Sequence, residues 1–260
     1  MIRVILAESR KLRRPTLVLS TLATVTFLTG LFTSLVFLRA GSGHNSKRGE
    51  SITPHELSQV TGLVYGFKLV AFFLGIVALC IFASQTAQEY TYGTLRNLLV
   101  RQPSRMKILA GKLISMKIFA LILVVFAGAI SIAISFLLAG RAKVDTSAWS
   151  HGGHLLLQTS FNILLATILY GMVGMILGLL LRSPISAISV GVIWMLILET
   201  ILSASLPEST KWLPGQNISN ISEGGVVGLS YMHSILISFT YIGVAGAIVA
   251  LLFKRRDVAN

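Results

Sequence analysis

Six stretches of the sequence are each long and apolar enough to cross a lipid bilayer as a helix. They are residues 16–38, 60–84, 114–139, 155–181, 185–206 and 226–253. Crossing the hydrocarbon core takes roughly 20 apolar residues, and lipid offers the backbone no hydrogen-bond partner, so each stretch should be helical. The sequence therefore predicts an all-α polytopic membrane protein with six transmembrane helices in a single domain over residues 1–260.

The composition agrees with a membrane protein and argues against a soluble one. Only 12% of the residues are charged and 54% are hydrophobic, whereas a soluble domain carries about a quarter charged residues. The mean hydropathy is +0.80. Because Cys80 is the single cysteine, the chain has no intrachain disulfide.

The formal net charge of +13 orients the chain and does not indicate nucleic-acid binding. Lys and Arg occur in short stretches between the apolar runs, whereas a nucleic-acid binder gathers them on one soluble face among aromatic residues. With the N-terminus inside, fifteen Lys and Arg residues lie on the inner connections and six on the outer ones. Because cytoplasmic connections carry the excess of positive charge, both termini are predicted to face the cytoplasm.

Residues 1–15 predict a helix that lies along the membrane surface. Its apolar and basic residues fall on different faces. The apolar residues are Ile2, Ile5, Leu6 and Leu12, and the basic ones are Arg3, Arg10 and Arg14. Such an amphipathic helix is attracted to anionic lipid, which makes membrane lipid a predicted partner. Pro15 favours a break before the first span.

The connection between the second and third spans, residues 88–105, is polar and basic. Its apolar stripe at helical spacing consists of Tyr92, Leu95, Leu98 and Leu99. Pro103 disfavours helical geometry just before it, so a short helix here should end at about Arg101. A helix of about two turns is unstable alone in water and needs a partner surface. The alternative is a solvated loop whose basic residues only follow the distribution of charge across the membrane.

The order of residues in this segment resembles that of ABC-2 type permeases, the membrane subunits of bacterial ATP-driven exporters. The matching pattern is an acidic residue, Gly-Thr-Leu-Arg, Pro-x-Arg and Gly-Lys. Here these are Glu89, Gly93, Thr94, Leu95, Arg96, Pro103, Arg105, Gly111 and Lys112. The layout is similar along nearly the whole chain, with a basic N-terminal helix, six spans, a short Arg182-Ser183-Pro184 turn and a terminal FKRRDV sequence.

The resemblance implies that residues 88–105 form a cytoplasmic coupling helix seated in a cleft of a separate ATPase subunit. The residues expected to couple to that subunit are Glu89, Tyr92, Gly93, Thr94, Leu95, Arg96, Leu98, Leu99, Arg101, Pro103, Arg105 and Lys112. The turn of Arg182, Ser183 and Pro184 is a second expected cytoplasmic contact. Glu89 is expected to pair with a basic residue of the permease or of its partner. The implied assembly has two ATPase subunits and a second permease subunit, as a homodimer or a heterodimer, in the plasma membrane of a bacterium.

The chain itself is not expected to be an enzyme or to hold a cofactor. It lacks a G-x-x-x-x-G-K-[ST] phosphate loop, so ATP and Mg²⁺ would belong to the partner ATPase. His151 and His154 lack further ligand residues nearby, and no metal site is predicted. The spans hold few charges, which suits a hydrophobic or amphipathic substrate such as a drug or antimicrobial peptide. The alternatives are an ATP-independent secondary transporter or channel, and an intramembrane enzyme, for which no nucleophile–base set is present.

Two charged residues, Lys68 and Glu199, lie inside predicted spans at similar depth near the outer leaflet. Charges at such positions are costly and tend to be paired or functional. We expect them to form an ion pair, within one subunit or across a dimer; the alternative is that each extends separately to the outer surface. Residues 207–225, which include Pro207 and Pro214, are expected to form an external re-entrant or capping loop.

Overall fold

The computed structural model describes residues 2–42, 53–94, 98, 100 and 104–255, and the described chain is almost entirely helical. The α-helices are α1 (Ile2–Leu12), α2 (Pro15–Ser42), α3 (Pro54–Ser58), α4 (Gly62–Thr91), α5 (Arg105–Ala139), α6 (Gly153–Leu181), α7 (Pro184–Val192), α8 (Glu199–Ser205), α9 (Pro214–Glu223) and α10 (Tyr231–Arg255). A π-helical stretch, Ile193–Leu198, joins α7 to α8. Short 3₁₀ helices occupy Ser147–His151 and Pro207–Lys211.

In the described part of the chain, six helices are long and apolar enough to cross a membrane. They are α2, α4, α5, α6, the continuous α7–π–α8 segment and α10. The prediction of an all-α, multi-pass membrane protein is therefore confirmed. Helices α4 and α5 are longer than the apolar stretches from which they were predicted. Polar residues at their ends continue the helix beyond the hydrocarbon core.

Three span boundaries differ by at least five residues from the sequence prediction. α4 continues to Thr91 and α5 starts at Arg105, so both helices reach into the segment 88–105. α10 starts at Tyr231, five residues after the predicted residue 226, because the chain first turns at residues 224–229. Gly224, Gly225 and Gly228 have positive φ in that turn, a conformation that favours glycine.

Helices α4 and α6 form the centre of the bundle. The two backbones approach closely, since a Cβ on Gly174 would collide with the Leu79 carbonyl oxygen. Gly75 likewise lies against the ring of Tyr170. Small residues at a membrane helix interface permit this approach and increase van der Waals contact. The close packing fixes the α4 end at Thr91 relative to the α6 end at Leu181.

The N-terminal helix α1 packs against α5. A Cβ on Gly111 would lie 2.7 Å from Val4 Cγ1, so α1 approaches α5 closely at this glycine. Ser115 Oγ lies 2.9 Å from the Ile5 carbonyl oxygen and donates a hydrogen bond to it. Ile2 remains 73% exposed. Helix α1 is therefore docked on the bundle while part of its apolar face stays open, and its contact with lipid stays a prediction.

Residues 207–225, predicted as a re-entrant or capping loop, contain the 3₁₀ turn Pro207–Lys211 and helix α9. One face of α9 is buried against α6 and α10, and Asn217 and Ile218 on that face are fully buried. The segment is thus an integral part of one end of the helical bundle.

Candidate functional site

Four charged side chains from three helices meet at the end of α4 that leads into residues 92–104. Glu8 and Lys11 come from α1, Glu89 from α4 and Lys112 from α5. Lys11 Nζ lies 2.6 Å from Glu8 Oε1 and 2.8 Å from Glu89 Oε1. Lys112 Nζ lies 2.8 Å from Glu8 Oε2 and 2.8 Å from Glu89 Oε1. The four side chains form a closed ring of alternating charge, which we call the charge network.

The charge network is largely shielded from solvent. Glu8, Glu89 and Lys112 are 4%, 7% and 3% exposed, and the Lys11 side chain is 31% exposed. Buried charges are tolerated only where opposite charges and hydrogen bonds compensate for the lost hydration. Lys112 meets this condition fully, since its third N–H donates to the Gln85 carbonyl oxygen at 3.1 Å. The network therefore holds α1, α4 and α5 together at one end of the bundle.

The electrostatics of the network favour the ionised state of both groups on α1. Burial alone would raise the pKa of Glu8, but the charge of Lys112 and the hydrogen bonds from Lys11 and Lys112 outweigh it and lower that pKa. Burial would lower the pKa of Lys11, but the charge of Glu89 and its bonds to both carboxylates raise it. Glu8 and Lys11 therefore both stay ionised at neutral pH.

The α4 helix ends at the residues that open the predicted coupling segment. Tyr92 is the C-cap, and its backbone N–H donates to the Gln88 carbonyl oxygen at 2.9 Å. Gly93 follows at φ +64°, a left-handed conformation that terminates the helix without steric cost. The Tyr92 side chain is 73% exposed and Thr94 is also exposed. Both side chains are thus accessible to a partner.

Part of the predicted coupling segment lies outside the described residues. These residues are Leu95, Arg96, Leu99, Arg101 and Pro103. The short amphipathic helix and the roles of these side chains stay predictions.

A groove of about 480 Å³ lies directly beside the charge network. Its lining residues are Lys11, Arg14, Gln85, Gln88, Glu89, Tyr92, Thr94, Leu98 and Val100. The groove joins the end of α1 to the end of α4 and combines cationic, amide and apolar side chains. Four of the predicted coupling residues line it, namely Glu89, Tyr92, Thr94 and Leu98.

The turn of Arg182, Ser183 and Pro184 lies at the same end of the bundle. Arg182 adopts φ 55° as the C-cap of α6, and its guanidinium lies 5.5 Å from the ring centroid of Tyr90 on α4. Ser183 caps α7, which begins at Pro184. The two predicted cytoplasmic contact regions are thus brought together by the packing of α4 against α6.

Three predicted coupling residues make contacts within the chain. Glu89 and Lys112 face each other in the charge network, so they position the segment from inside. Arg105 Nη1 donates to the Phe253 carbonyl oxygen at 2.9 Å, near the end of α10. This bond ties the start of α5 to the last span.

The comparisons with known proteins place the chain in a family whose role is not defined. The sequence model of a family described as "Protein of unknown function (DUF2705)" matches residues 48–259. The chain belongs to this family. None of the curated proteins matches the chain. The DUF2705 match includes Glu89 and Lys112 of the charge network, whereas α1, which supplies Glu8 and Lys11, precedes it.

The predicted ion pair between Lys68 and Glu199 is wrong as an intrachain contact. Lys68 Nζ donates instead to the Glu223 carbonyl oxygen at 3.1 Å. Glu199, which is fully buried, accepts hydrogen bonds from Trp194 Nε1 at 2.8 Å and from the backbone N–H groups of Gly215 and Gln216, each at 2.9 Å. We call this arrangement the Glu199 clamp.

Glu199 bonds to the start of α9 because the N-terminus of that helix needs hydrogen-bond acceptors. The prediction compared only the depths of Lys68 and Glu199 in their spans, which does not show this need. The first N–H groups of a helix have no partner within it, and Leu213, the N-cap of α9, provides no side-chain bond. Glu199 supplies the missing acceptors from α8, and Tyr170 Oη donates to the Gly215 carbonyl oxygen at 2.8 Å. The carboxylate is therefore satisfied by the N-terminus of α9 and has no need of Lys68.

Sequence reasoning missed Glu8 and Lys11 as site residues. Glu8 is the only acidic residue among residues 1–15, and Lys11 follows it by three residues on the same face of α1. This single acidic residue in a basic helix is the sequence signal that could have indicated a buried partner.

His151 and His154, which were considered as metal ligands, form no metal site with the other described residues. His151 Nδ1 lies 3.2 Å from Ser150 Oγ. Across the described ranges, no group of three or more His, Cys, Asp or Glu side chains is placed to hold a metal ion.

Proposed function

We propose that this chain is the membrane permease subunit of an ABC-2 type exporter in the plasma membrane of a bacterium. It would form the substrate path, and a separate ATPase subunit would bind ATP and Mg²⁺ and hydrolyse the nucleotide. The assembly would contain two ATPase subunits and a second permease subunit, identical to this chain or related to it. The exported molecule would be hydrophobic or amphipathic, such as a drug or an antimicrobial peptide.

The observation that carries this proposal is the position of the charge network. A coupling helix transmits motion only if its two ends are firmly attached to helices that cross the membrane. Glu89 on α4 and Lys112 on α5 flank the segment 92–104, and their 2.8 Å contact joins the two attachment points. Glu8 and Lys11 add α1 to the same rigid mount. A force on the segment would therefore move α1, α4 and α5 together.

The surface around this mount suits a protein partner. The exposed Tyr92 ring and the groove beside the network offer an aromatic anchor and a concavity, the features that carry most of the affinity in protein interfaces. Arg14 in the groove wall provides a cation for an acidic residue of the partner. The Arg182 turn extends this surface to a second contact point.

The proposal is tested by isolating the full chain from its native membrane in mild detergent. We expect an ATPase subunit to co-purify and the preparation to hydrolyse ATP. Leu95→Glu and Leu99→Glu should each release the ATPase, because a charge replaces an apolar anchor. Ser150→Glu, at an exposed position of the 3₁₀ helix Ser147–His151, serves as the control and should leave the complex intact.

Two outcomes would overturn the proposal. One is transport by material that contains no ATPase, which would favour the ATP-independent transporter or channel. The other is an ATPase that stays bound, with full transport, in both Leu95→Glu and Leu99→Glu.

A further inference from the structure

At the opposite end of α4 from the charge network, a second cleft of about 480 Å³ opens beside α9. Lys68, near the start of α4, and Glu89, near its end, are separated by roughly 30 Å at 1.5 Å per residue. The cleft lies between the Pro207–Lys211 turn, helix α9 and the turn at residues 226–229. Its wall includes Glu208, Lys211, Asn220, Glu223, Val226 and Val227. We call it the α9 cleft.

Asn220 contributes an acceptor that has no donor. Its Nδ2 donates to the Leu229 carbonyl oxygen at 3.0 Å and to Ser234 Oγ at 2.8 Å. Because a carbonyl oxygen only accepts, the atom facing Leu229 must be the amide nitrogen, and this fixes the orientation of the amide. Asn220 Oδ1 is buried and has no hydrogen-bond partner among the described residues. Such a buried orphaned acceptor is unfavourable, and Asn220 itself belongs to the cleft wall.

The end of α9 already binds one primary ammonium group. Lys68 Nζ donates to the Glu223 carbonyl oxygen at 3.1 Å, where the helix dipole places partial negative charge. A second ammonium, Lys211 Nζ, lies 2.8 Å from Glu208 Oε2 at the rim of the cleft. The carboxylate of Glu223, in contrast, is exposed to the cleft and accepts no hydrogen bond within the described part of the chain.

The same wall offers an apolar surface beside these acceptors. Val226 and Val227 are 45% and 106% exposed, and both line the cleft. The glycines at 224, 225 and 228 hold this turn at positive φ, so the two valines stand on a sharply bent backbone. A ligand that fits the wall therefore combines N–H donors and positive charge with a short aliphatic chain.

We propose that the α9 cleft binds an alkylammonium group, with its charge and its N–H groups at the Glu223 carboxylate and its aliphatic part against Val226 and Val227. Lysine or ornithine side chains of a cationic peptide have this chemistry. Lys68 competes with the ligand because its own ammonium already lies at this end of α9, where it donates to the Glu223 carbonyl oxygen. Identifying the ligand as the exported substrate rests on the proposed function, whereas binding to the cleft does not.

The binding test uses the full chain in lipid nanodiscs and radiolabelled n-octylammonium, with empty nanodiscs as the blank. We expect saturable binding above the blank. Octyltrimethylammonium has the same charge but no N–H, and n-octanol has the chain without the charge. Both should compete at least fivefold more weakly than n-octylammonium. Equal competition by either compound would overturn the proposal, as would binding no greater than to empty nanodiscs.

Variants of the two charged groups separate binding from a purely structural effect, because their expected effects have opposite sign. Glu223→Gln should weaken octylammonium binding by about fivefold, the range of an exposed ion pair. Lys68→Met should strengthen it by about two- to fivefold because a competing cation is removed. Asp145→Asn, which removes an equal charge outside the cleft, should change nothing.

Unchanged binding in Glu223→Gln, or weaker binding in a folded Lys68→Met, would refute the site. A chain that binds octylammonium but carries no ATPase would leave the α9 cleft intact and refute the exporter proposal alone.

Discussion

The two ends of the molecule bury carboxylates in different ways. In the charge network, Glu8 and Glu89 are stabilised by the ammonium groups of Lys11 and Lys112. In the Glu199 clamp, a fully buried carboxylate has only neutral N–H donors, from one indole and the first turn of α9. An ion network depends on every charge it contains, whereas a helix N-terminus spreads its partial charge over several backbone groups.

The two regions also connect different parts of the structure. The charge network joins three helices through four side chains, each of which can be removed by a substitution. The Glu199 clamp joins α8 to the backbone of α9, and only one of its donors, Trp194, is a side chain. The clamp also includes part of the π-helical stretch Ile193–Leu198, which contains Trp194 and ends next to Glu199. Such stretches are often found where a helix serves a function.

The largest effect is expected from Lys112→Met. Removing this ammonium leaves Glu8 and Glu89 buried with only Lys11 between them, and breaking a buried ion pair costs about 3–5 kcal/mol. We expect the free energy of unfolding to fall by this amount and α1 to detach. Thermal unfolding in detergent and proteolysis near the N-terminus measure the two consequences.

Lys107→Met is the matched control for that substitution, since Lys107 is exposed on the same helix α5. It should leave the midpoint of unfolding nearly unchanged. If both variants unfolded at the same temperature, the network would contribute nothing to the attachment of α1.

Glu199→Gln should have an intermediate effect. A glutamine offers one acceptor where the carboxylate offers two, so one backbone N–H of Gly215 or Gln216 loses its partner. An unsatisfied buried donor costs about 1–3 kcal/mol. We expect faster hydrogen exchange at these two amides and a lower unfolding temperature. Glu208→Gln, at the exposed 3₁₀ turn, is the control and should leave hydrogen exchange at these amides unchanged. Unaltered hydrogen exchange in Glu199→Gln would show that α9 does not depend on the clamp.

Trp194→Phe should have a smaller effect than Glu199→Gln. It removes the indole N–H but leaves both backbone donors on Glu199, and loss of one hydrogen bond costs about 1 kcal/mol. The expected result is a modest decrease in the unfolding temperature with little change in exchange at Gly215. A loss as large as that of Glu199→Gln would mean that the indole, and not the helix terminus, stabilises the carboxylate.

The smallest effect near neutrality is expected from pH. The pKa of Glu8 is lowered from its ordinary value of 4.5, so its contribution is complete above pH 4.5 and is lost as pH falls through the lowered pKa. The pKa of Lys11 is raised from 10.5, so its contribution is complete below pH 10.5 and is lost above the raised value. Hydrogen exchange of the α1 amides should be constant from pH 6 to 8 once corrected for the intrinsic rate. Additional exchange should begin only below pH 4.5, and release of α1 already at pH 6 would contradict these shifts.

Sequence alone predicted the six spans but placed several of their ends imprecisely. Hydrocarbon thickness determines how many apolar residues a span needs. Because this requirement applies to each stretch by itself, each span can be recognised from its own sequence. Where a helix stops depends on caps and neighbours. Helix α4 ends where Gly93 adopts a left-handed conformation, whereas the apolar stretch from which the span was predicted stops at residue 84. The start of α10 was missed because a turn of three glycines precedes it.

The functional sites show the same distinction between local sequence features and tertiary contacts. The segment 88–105 was found because its polarity and residue order stand out between two spans. The partners of Glu89, Lys112 and Glu199 were decided only by tertiary structure. Residues 8 and 89, or 199 and 215, become neighbours when helices dock, and docking positions follow from close contacts such as Gly111 against Val4 and Gly174 against Leu79. The sequence thus determined that this chain enters the membrane and how often it crosses, because burial in lipid acts on each stretch separately. The pairing of its buried charges depends on three-dimensional packing, because an electrostatic partner is selected by distance in space and not along the chain.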